Sequence, residues 1–152
     1  EMDATSRRIV NALKTAVRRE ERTSAAYMSK AKKMRDPTAK KVLETLAKQE
    51  IGHANKLLKI LNKGSDLSSL GKKGKELAGE LHVVNDDVRA IENSTQVVKV
   101  LRKASKAEEN SGRLYRSLEK IYKGFDVADL FAKLAEEEDK HKDRIEKVLA
   151  RM

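Results

Sequence analysis

Apolar and small residues recur at alternating steps of three and four residues in four segments of the chain. This spacing is typical of one face of an α-helix, because an α-helix has 3.6 residues per turn. Helix-breaking residues separate the segments: Pro37 opens the second, Gly64 follows it and Gly124 follows the third. The pattern therefore predicts four helices, over about residues 6–34, 37–62, 95–123 and 126–151.

The connections between these helices differ in length. Asp36 and Asp126 are expected to cap the second and fourth helices after short turns, and Ser94 or Thr95 is expected to cap the third. The stretch of about residues 63–94 is long and contains several glycines, so we predict a crossover there. Two helix hairpins joined by a long crossover are a recognised topology of four-helix bundles. The predicted fold class is therefore all-α.

The core-facing positions of each predicted helix include acidic residues or a histidine near the middle. The first and third helices match almost position by position, and so do the second and fourth. The predicted core positions are Ile9, Leu13, Ala16, Glu20, Thr23 and Tyr27 on the first helix, Leu43, Leu46, Glu50, His53, Leu57 and Ile60 on the second, Val97, Leu101, Ala104, Glu108, Ser111, Tyr115, Leu118 and Tyr122 on the third, and Val127, Phe131, Leu134, Glu138, His141, Ile145 and Val148 on the fourth.

The helix hairpin is repeated within the chain. A shift of 88 residues places Glu20 on Glu108, Glu50 on Glu138 and His53 on His141. Each half has one core-facing glutamate on its first helix and, 30 residues later, a Glu-x-x-His motif on its second. At about 1.5 Å of rise per residue, the two glutamates of each hairpin lie roughly 20 Å from their turn. The four core-facing glutamates and the two histidines are therefore expected in one layer.

A layer of four carboxylates and two imidazoles needs cations. Burying unpaired carboxylates costs several kcal/mol each, whereas two divalent ions supply the charge that balances four glutamates. A polar residue that only fixes helix register is an alternative, but register needs one such residue rather than six. Glu21 and Glu109 adjoin two of the candidates, and the helical phase favours the first of each pair. The predicted metal ligands are Glu20, Glu50, His53, Glu108, Glu138 and His141.

With these motifs, the chain resembles the rubrerythrin-type branch of the ferritin-like superfamily over nearly its whole length. The resemblance implies a ferritin-like four-helix bundle with two iron ions, Glu50 and Glu138 bridging them. Ser111 stands where rubrerythrins proper carry a further glutamate, and a cysteine-ligated rubredoxin-like domain is absent from the sequence. The resemblance rests on Glu20-x6-Tyr27, Asp36-Pro37 followed by Leu46-Ala47-x2-Glu50-x2-His53, Glu108-x6-Tyr115, and Leu134-Ala135-x2-Glu138-x2-His141; it implies that Glu20 with His53, and Glu108 with His141, complete one iron each.

The function that this site favours is a non-haem di-iron oxidoreductase that reacts with hydrogen peroxide or oxygen, with manganese as the alternative metal. Because the chain has no cysteine, its electron donor is expected to be a separate molecule. Tyr27 and Tyr115 are either core aromatic residues or hydrogen-bonding supports of a ligand glutamate. Metal handling without turnover is the alternative function.

Composition adds expectations about partners and location. A length of 152 residues fits one domain, residues 1–152, and the net charge of +10 is scattered over nearly every segment. Such scatter is typical of a solvated surface, so polyanion binding is the least favoured function and nucleic acid is not expected as a partner. No segment is apolar enough to span a membrane. We expect a cytoplasmic homodimer, although the first residue is Glu1 and leaves a removed targeting segment open.

Overall fold

The computed structural model describes residues 3–64 and 94–152. Within these ranges the chain forms four long helices and no strand, so the predicted all-α four-helix class is confirmed. The predicted bounds agree with the observed ones within two residues. The predicted crossover lies outside the described residues except at its ends. The helices are α1 (Ala4–Lys33), α2 (Pro37–Gly64), α3 (Ser94–Ile121) and α4 (Asp126–Ala150).

The first two helices begin at aspartate caps. The N–H of Ser6 donates a hydrogen bond to Oδ1 of Asp3 (2.7 Å), which explains why α1 begins before the predicted residue. This bond lowers the pKa of the Asp3 carboxyl. The predicted Asp36 cap of α2 is confirmed, because the N–H of Ala39 donates to its Oδ2 at 2.8 Å. Pro37 occupies the first helical position, where an N–H would have no intrahelical partner.

The predicted Asp126 cap of α4 is wrong. Phe125 occupies the cap position with extended backbone and makes no side-chain cap hydrogen bond. Asp126 and Asp129 lie in the first turn instead, where negative charge interacts favourably with the helix dipole. The turn before α4 contains Gly124 with φ of +95°, a conformation that glycine adopts without steric cost.

The buried face of each helix contains most of the predicted core positions. Several others are half-buried, and one is exposed: Ile60 is 40% exposed, whereas Leu61 is 3% exposed. Leu61 lies 18 residues after Leu43, which is five turns of a straight α-helix, and the stricter alternation of three and four residues led to Ile60. No helix in the described part of the chain is long and apolar enough to cross a membrane.

The helices form two compact units. The first contains α1 and α2 from Leu43 onward; the second contains α3, α4 and residues 34–42. In the first unit, the hydroxyl of Ser24 on α1 donates a hydrogen bond to the backbone of α2. In the second, α3 packs along α4, and the hydroxyl of Ser105 donates to Oε1 of Glu146 at 2.6 Å. The single-domain organisation stays a prediction.

Candidate metal centre

Three of the candidate ligands come together in the first unit. The potential ligand atoms of Glu20, Glu50 and His53 all lie within 4.8 Å of one another. Nδ1 of His53 is 3.4 Å from Oε2 of Glu20. The Glu-x-x-His spacing places two of these residues on one face of α2, because residues three apart are neighbours on a helix surface. All three side chains are buried. We call this group the first triad.

The second unit repeats the arrangement. Glu108 on α3 meets Glu138 and His141 on α4, again with potential ligand atoms within 4.8 Å of one another. Nδ1 of His141 lies 3.4 Å from Oε2 of Glu108 and 3.6 Å from Oε1 of Glu138. These three side chains, the second triad, are also buried.

The donor atoms of each triad fit one divalent ion. Two atoms that bind the same ion at about 2.1 Å lie about 3.0 to 3.4 Å apart for bond angles between roughly 90 and 109°. The observed nitrogen–oxygen separations of 3.4 and 3.6 Å are close to this range. Carboxylate oxygen and imidazole nitrogen suit iron and manganese. Each triad contains two carboxylates, whose charge one divalent ion balances when the imidazole is neutral.

Apolar residues lie one turn to either side of each Glu-x-x-His motif. On α2 these are Leu46 and Leu57, and on α4 they are Leu134 and Ile145, all of them buried. A carboxylate in such surroundings is poorly solvated, so its ionised form needs a nearby cation. The apolar layers therefore favour metal binding over an empty, ionised site.

The two tyrosines of the sequence motifs are buried as well. The ring of Tyr115 stacks on that of Phe131, with centroids 6.1 Å apart and an interplanar angle of 21°. Tyr27 is buried in the first unit. Support of a glutamate by either hydroxyl stays a prediction. The ligand roles of the six residues, and the bridging roles of Glu50 and Glu138, likewise stay predictions.

The acids next to Glu20 and Glu108 differ from each other. Glu21 is buried, which the helical phase did not predict. Glu109 is half-buried, and its Oε1 accepts a hydrogen bond from Nη2 of Arg113 at 2.8 Å. Lys106, and after it Lys142 and Arg113, lower the pKa of the Glu109 carboxyl. Neither acid belongs to a triad.

Sequence reasoning also missed a small residue beside the second triad. A Cβ at Gly112 of α3 would lie 3.9 Å from the Cβ of Glu138 and 3.2 Å from Nη1 of Arg116. The equivalent residue 88 positions earlier is Ser24, which bonds to the backbone of α2. Small residues therefore occupy the same place in both hairpins, one turn after the α1 or α3 glutamate. The 88-residue repeat, which aligns these two small residues, could have indicated from the sequence that a small side chain is needed at this position.

Comparison with known proteins gives one match. The sequence model of the rubrerythrin family matches residues 11–93 and 99–152, which include all six candidate ligands. No curated protein and no solved structure is significantly similar to the chain.

Proposed function

The chain belongs to the rubrerythrin family, and from this premise we propose that it binds two metal ions and catalyses the reduction of hydrogen peroxide or oxygen. The observation that carries the proposal is the pair of equivalent, buried triads, each with two carboxylates and one imidazole. One ion is assigned to each triad. Iron is the proposed metal, and manganese is the alternative because the same donor atoms suit both.

The protein residues hold the ions and control protons around them. In each triad Nδ1 of the histidine faces a glutamate oxygen, so Nδ1 is the proposed ligand atom. A neutral imidazole that binds metal through Nδ1 carries its proton on Nε2. The buried leucines and Ile145 that lie one turn from the Glu-x-x-His motifs exclude bulk water, which strengthens electrostatic interactions among the ligands. Tyr27 and Tyr115 are assigned to orienting a glutamate through their phenolic O–H groups.

When bound, ferrous ions would supply the electrons for the reaction. Reduction of one hydrogen peroxide to two waters consumes two electrons and two protons, which matches the oxidation of two ferrous ions to ferric. Repeated turnover would need a further source of two electrons for each peroxide reduced. Residues 1–152 contain no cysteine that could hold an iron–sulfur centre, so we propose a donor group outside these residues.

Anaerobic reconstitution with ferrous iron tests the proposal. We expect two irons per chain, and one hydrogen peroxide consumed for every two irons oxidised. The variant Glu50→Gln/Glu138→Gln should lose most of the iron. The matched control, Glu44→Gln/Glu136→Gln, changes two glutamates on the same helices outside the triads and should retain two irons.

Two results would change the conclusion. Bound iron that neither peroxide nor oxygen oxidises would indicate a metal-handling protein without turnover. Wild-type protein that binds no more iron than the double variant would reject the metal site itself. Reconstitution with mixed ferrous and manganous ions, followed by elemental analysis, would identify the preferred metal.

A further inference from the structure

The exposed surface of α1 carries only positive charge. The acids of this helix are Glu20 and Glu21, and they are 2% and 3% exposed. Folding therefore removes both negative side chains from the surface of the helix. Its exposed and half-exposed ionisable residues are Arg7, Arg8, Lys14, Arg18, Arg19, Arg22, Lys30, Lys32 and Lys33.

Four of these cations lie in a line along the helix. Arg7, Lys14, Arg18 and Arg22 are separated by seven, four and four residues, which keeps them within roughly 80° of one another around the axis. At about 1.5 Å per residue the line is roughly 22 Å long. We call these four residues the arginine stripe. Three of them are exposed and Lys14 is half-exposed.

Acids in the described part of the chain do not neutralise the stripe. Within residues 3–64 and 94–152, none of its four members forms an ion pair. The second unit differs, because Arg113 and Lys106 pair with Glu109, and Arg116 pairs with Asp139. The arginines of the stripe are exposed, so an external anion can reach their guanidinium groups.

The surroundings of the stripe decide which anion fits. The other exposed positions of α1 are Ala4, Asn11 and Thr15, so the surface has no large apolar residue for insertion into lipid and no aromatic ring for base stacking. Guanidinium groups bind phosphate through paired hydrogen bonds. A line of roughly 22 Å equals the axial length of about six base pairs of B-form DNA.

We propose that the arginine stripe binds the phosphate backbone of nucleic acid without sequence specificity. The charge pattern along the sequence did not predict this partner, because buried and exposed acids look alike there. The proposal does not depend on the metal centre, since all four residues of the stripe lie outside the triads. Metal-free and metal-loaded protein should therefore bind nucleic acid alike.

Fluorescence anisotropy with two labelled DNA duplexes of unrelated sequence tests the proposal, at salt concentrations from about 50 to about 200 mM. The variant is Arg7→Gln/Arg18→Gln/Arg22→Gln. The control, Lys133→Gln/Lys140→Gln/Lys147→Gln, removes the same net charge from exposed positions on α4, which also carries acids. Far-UV circular dichroism verifies that both variants keep their helices.

Wild-type protein should bind both duplexes equally. In the stripe variant, the slope of log affinity against log salt should fall by about 3, and affinity at about 0.1 M salt should fall about 100-fold. The control variant should keep the wild-type slope. Absence of wild-type binding at about 50 mM salt, equal losses in the two variants, or a strong preference for one sequence would overturn the proposal. So would displacement of DNA by polyglutamate at equal charge concentration, which would indicate an acidic protein partner.

Discussion

The hydroxyl of Ser24 on α1 donates a hydrogen bond to the main-chain carbonyl oxygen of Ala47 on α2, at 2.7 Å. Ser24 lies one turn after Glu20, and Ala47 lies one turn before Glu50. The bond therefore joins the two helices within one turn of both carboxylates of the first triad. This hydrogen bond helps to hold α1 against α2 beside the first triad.

Ser24→Ala should destabilise the protein. The change removes a part-buried hydrogen bond and leaves no large cavity, so we expect a loss of about 1 kcal/mol in the free energy of unfolding. Urea denaturation measures it. Thr15→Ala is the control, because the Thr15 hydroxyl bonds to Asn11 within an exposed turn of the same helix and its loss should cost less than about 0.5 kcal/mol. Equal losses of stability in the two variants would show that the hydrogen bond between α1 and α2 stabilises the protein no more than the exposed bond within α1.

The two aspartates that precede or open helices should respond differently to alanine. Asp36→Ala removes the cap hydrogen bond to Ala39 and should cost about 1 kcal/mol of stability. Asp126→Ala loses only a favourable interaction with the helix dipole, about 0.3 kcal/mol at the surface, because Phe125 holds the cap position. Denaturant unfolding of both variants tests the order. A larger loss for Asp126→Ala would mean that it caps α4 in solution.

Two glycines without close neighbours should give opposite results on substitution by alanine. A Cβ at Gly52 or at Gly124 would meet no atom within 4 Å, so crowding affects neither. Gly52 lies inside α2, where alanine has the higher helix propensity, and Gly52→Ala should stabilise by up to about 1 kcal/mol. Gly124 has φ of +95°, and Gly124→Ala should destabilise by about 1 kcal/mol or more. Urea denaturation measures both changes: if the denaturant dependence of the free energy of unfolding is the same in all variants, the midpoint should rise for Gly52→Ala and fall for Gly124→Ala.

Loss of one triad should spare the other. Glu108→Gln removes a carboxylate of the second triad, and we expect one iron per chain after anaerobic reconstitution because the first triad keeps its three donors. Glu109→Gln is the adjacent control, since Glu109 pairs with Lys106 and Arg113, and it should retain two irons. Loss of both irons from Glu108→Gln would show that the two ions bind only together.

The Asp3 cap should make the start of α1 sensitive to acid. The N–H of Ser6 lowers the pKa of Asp3 from its ordinary value of 3.8, so the folded state binds this proton less readily than the unfolded state. The cap therefore contributes fully above pH 3.8 and is lost as the pH falls through the lower, folded value. The amide chemical shift of Ser6 followed by NMR should report this titration. Asp3→Asn keeps a side chain that can cap the helix but cannot titrate, so the pH dependence of the Ser6 shift should disappear.

The helix pattern and its repeat were sufficient to predict the fold class and the six candidate ligands. Polar residues recur at equivalent core positions in two hairpins, which chance spacing seldom produces. The burial of Glu21 was not predicted because a strict alternation of three and four residues describes a narrower face than α1 buries. Leu13 and Val17, four residues apart and both buried, extend this face toward Glu21.

The sequence alone did not predict that the exposed surface of α1 carries only positive charge, and the reason is different. Arg18 and Arg22 lie close to Glu20 and Glu21 along the chain, which makes the segment look mixed. Only the buried position of the two glutamates separates the signs in space. The expected homodimer and the cytoplasmic location depend on surfaces and signals that helix periodicity does not encode, and they stay predictions.

The first and last ligands of each triad lie 33 positions apart in the chain: Glu20 and His53 in one case, Glu108 and His141 in the other. Contacts between residues that are near in sequence close small loops, and their formation is correspondingly fast. During synthesis the first triad has all three ligands before any ligand of the second exists. The helices that carry the first triad can therefore pair while the ribosome is still making α3 and α4.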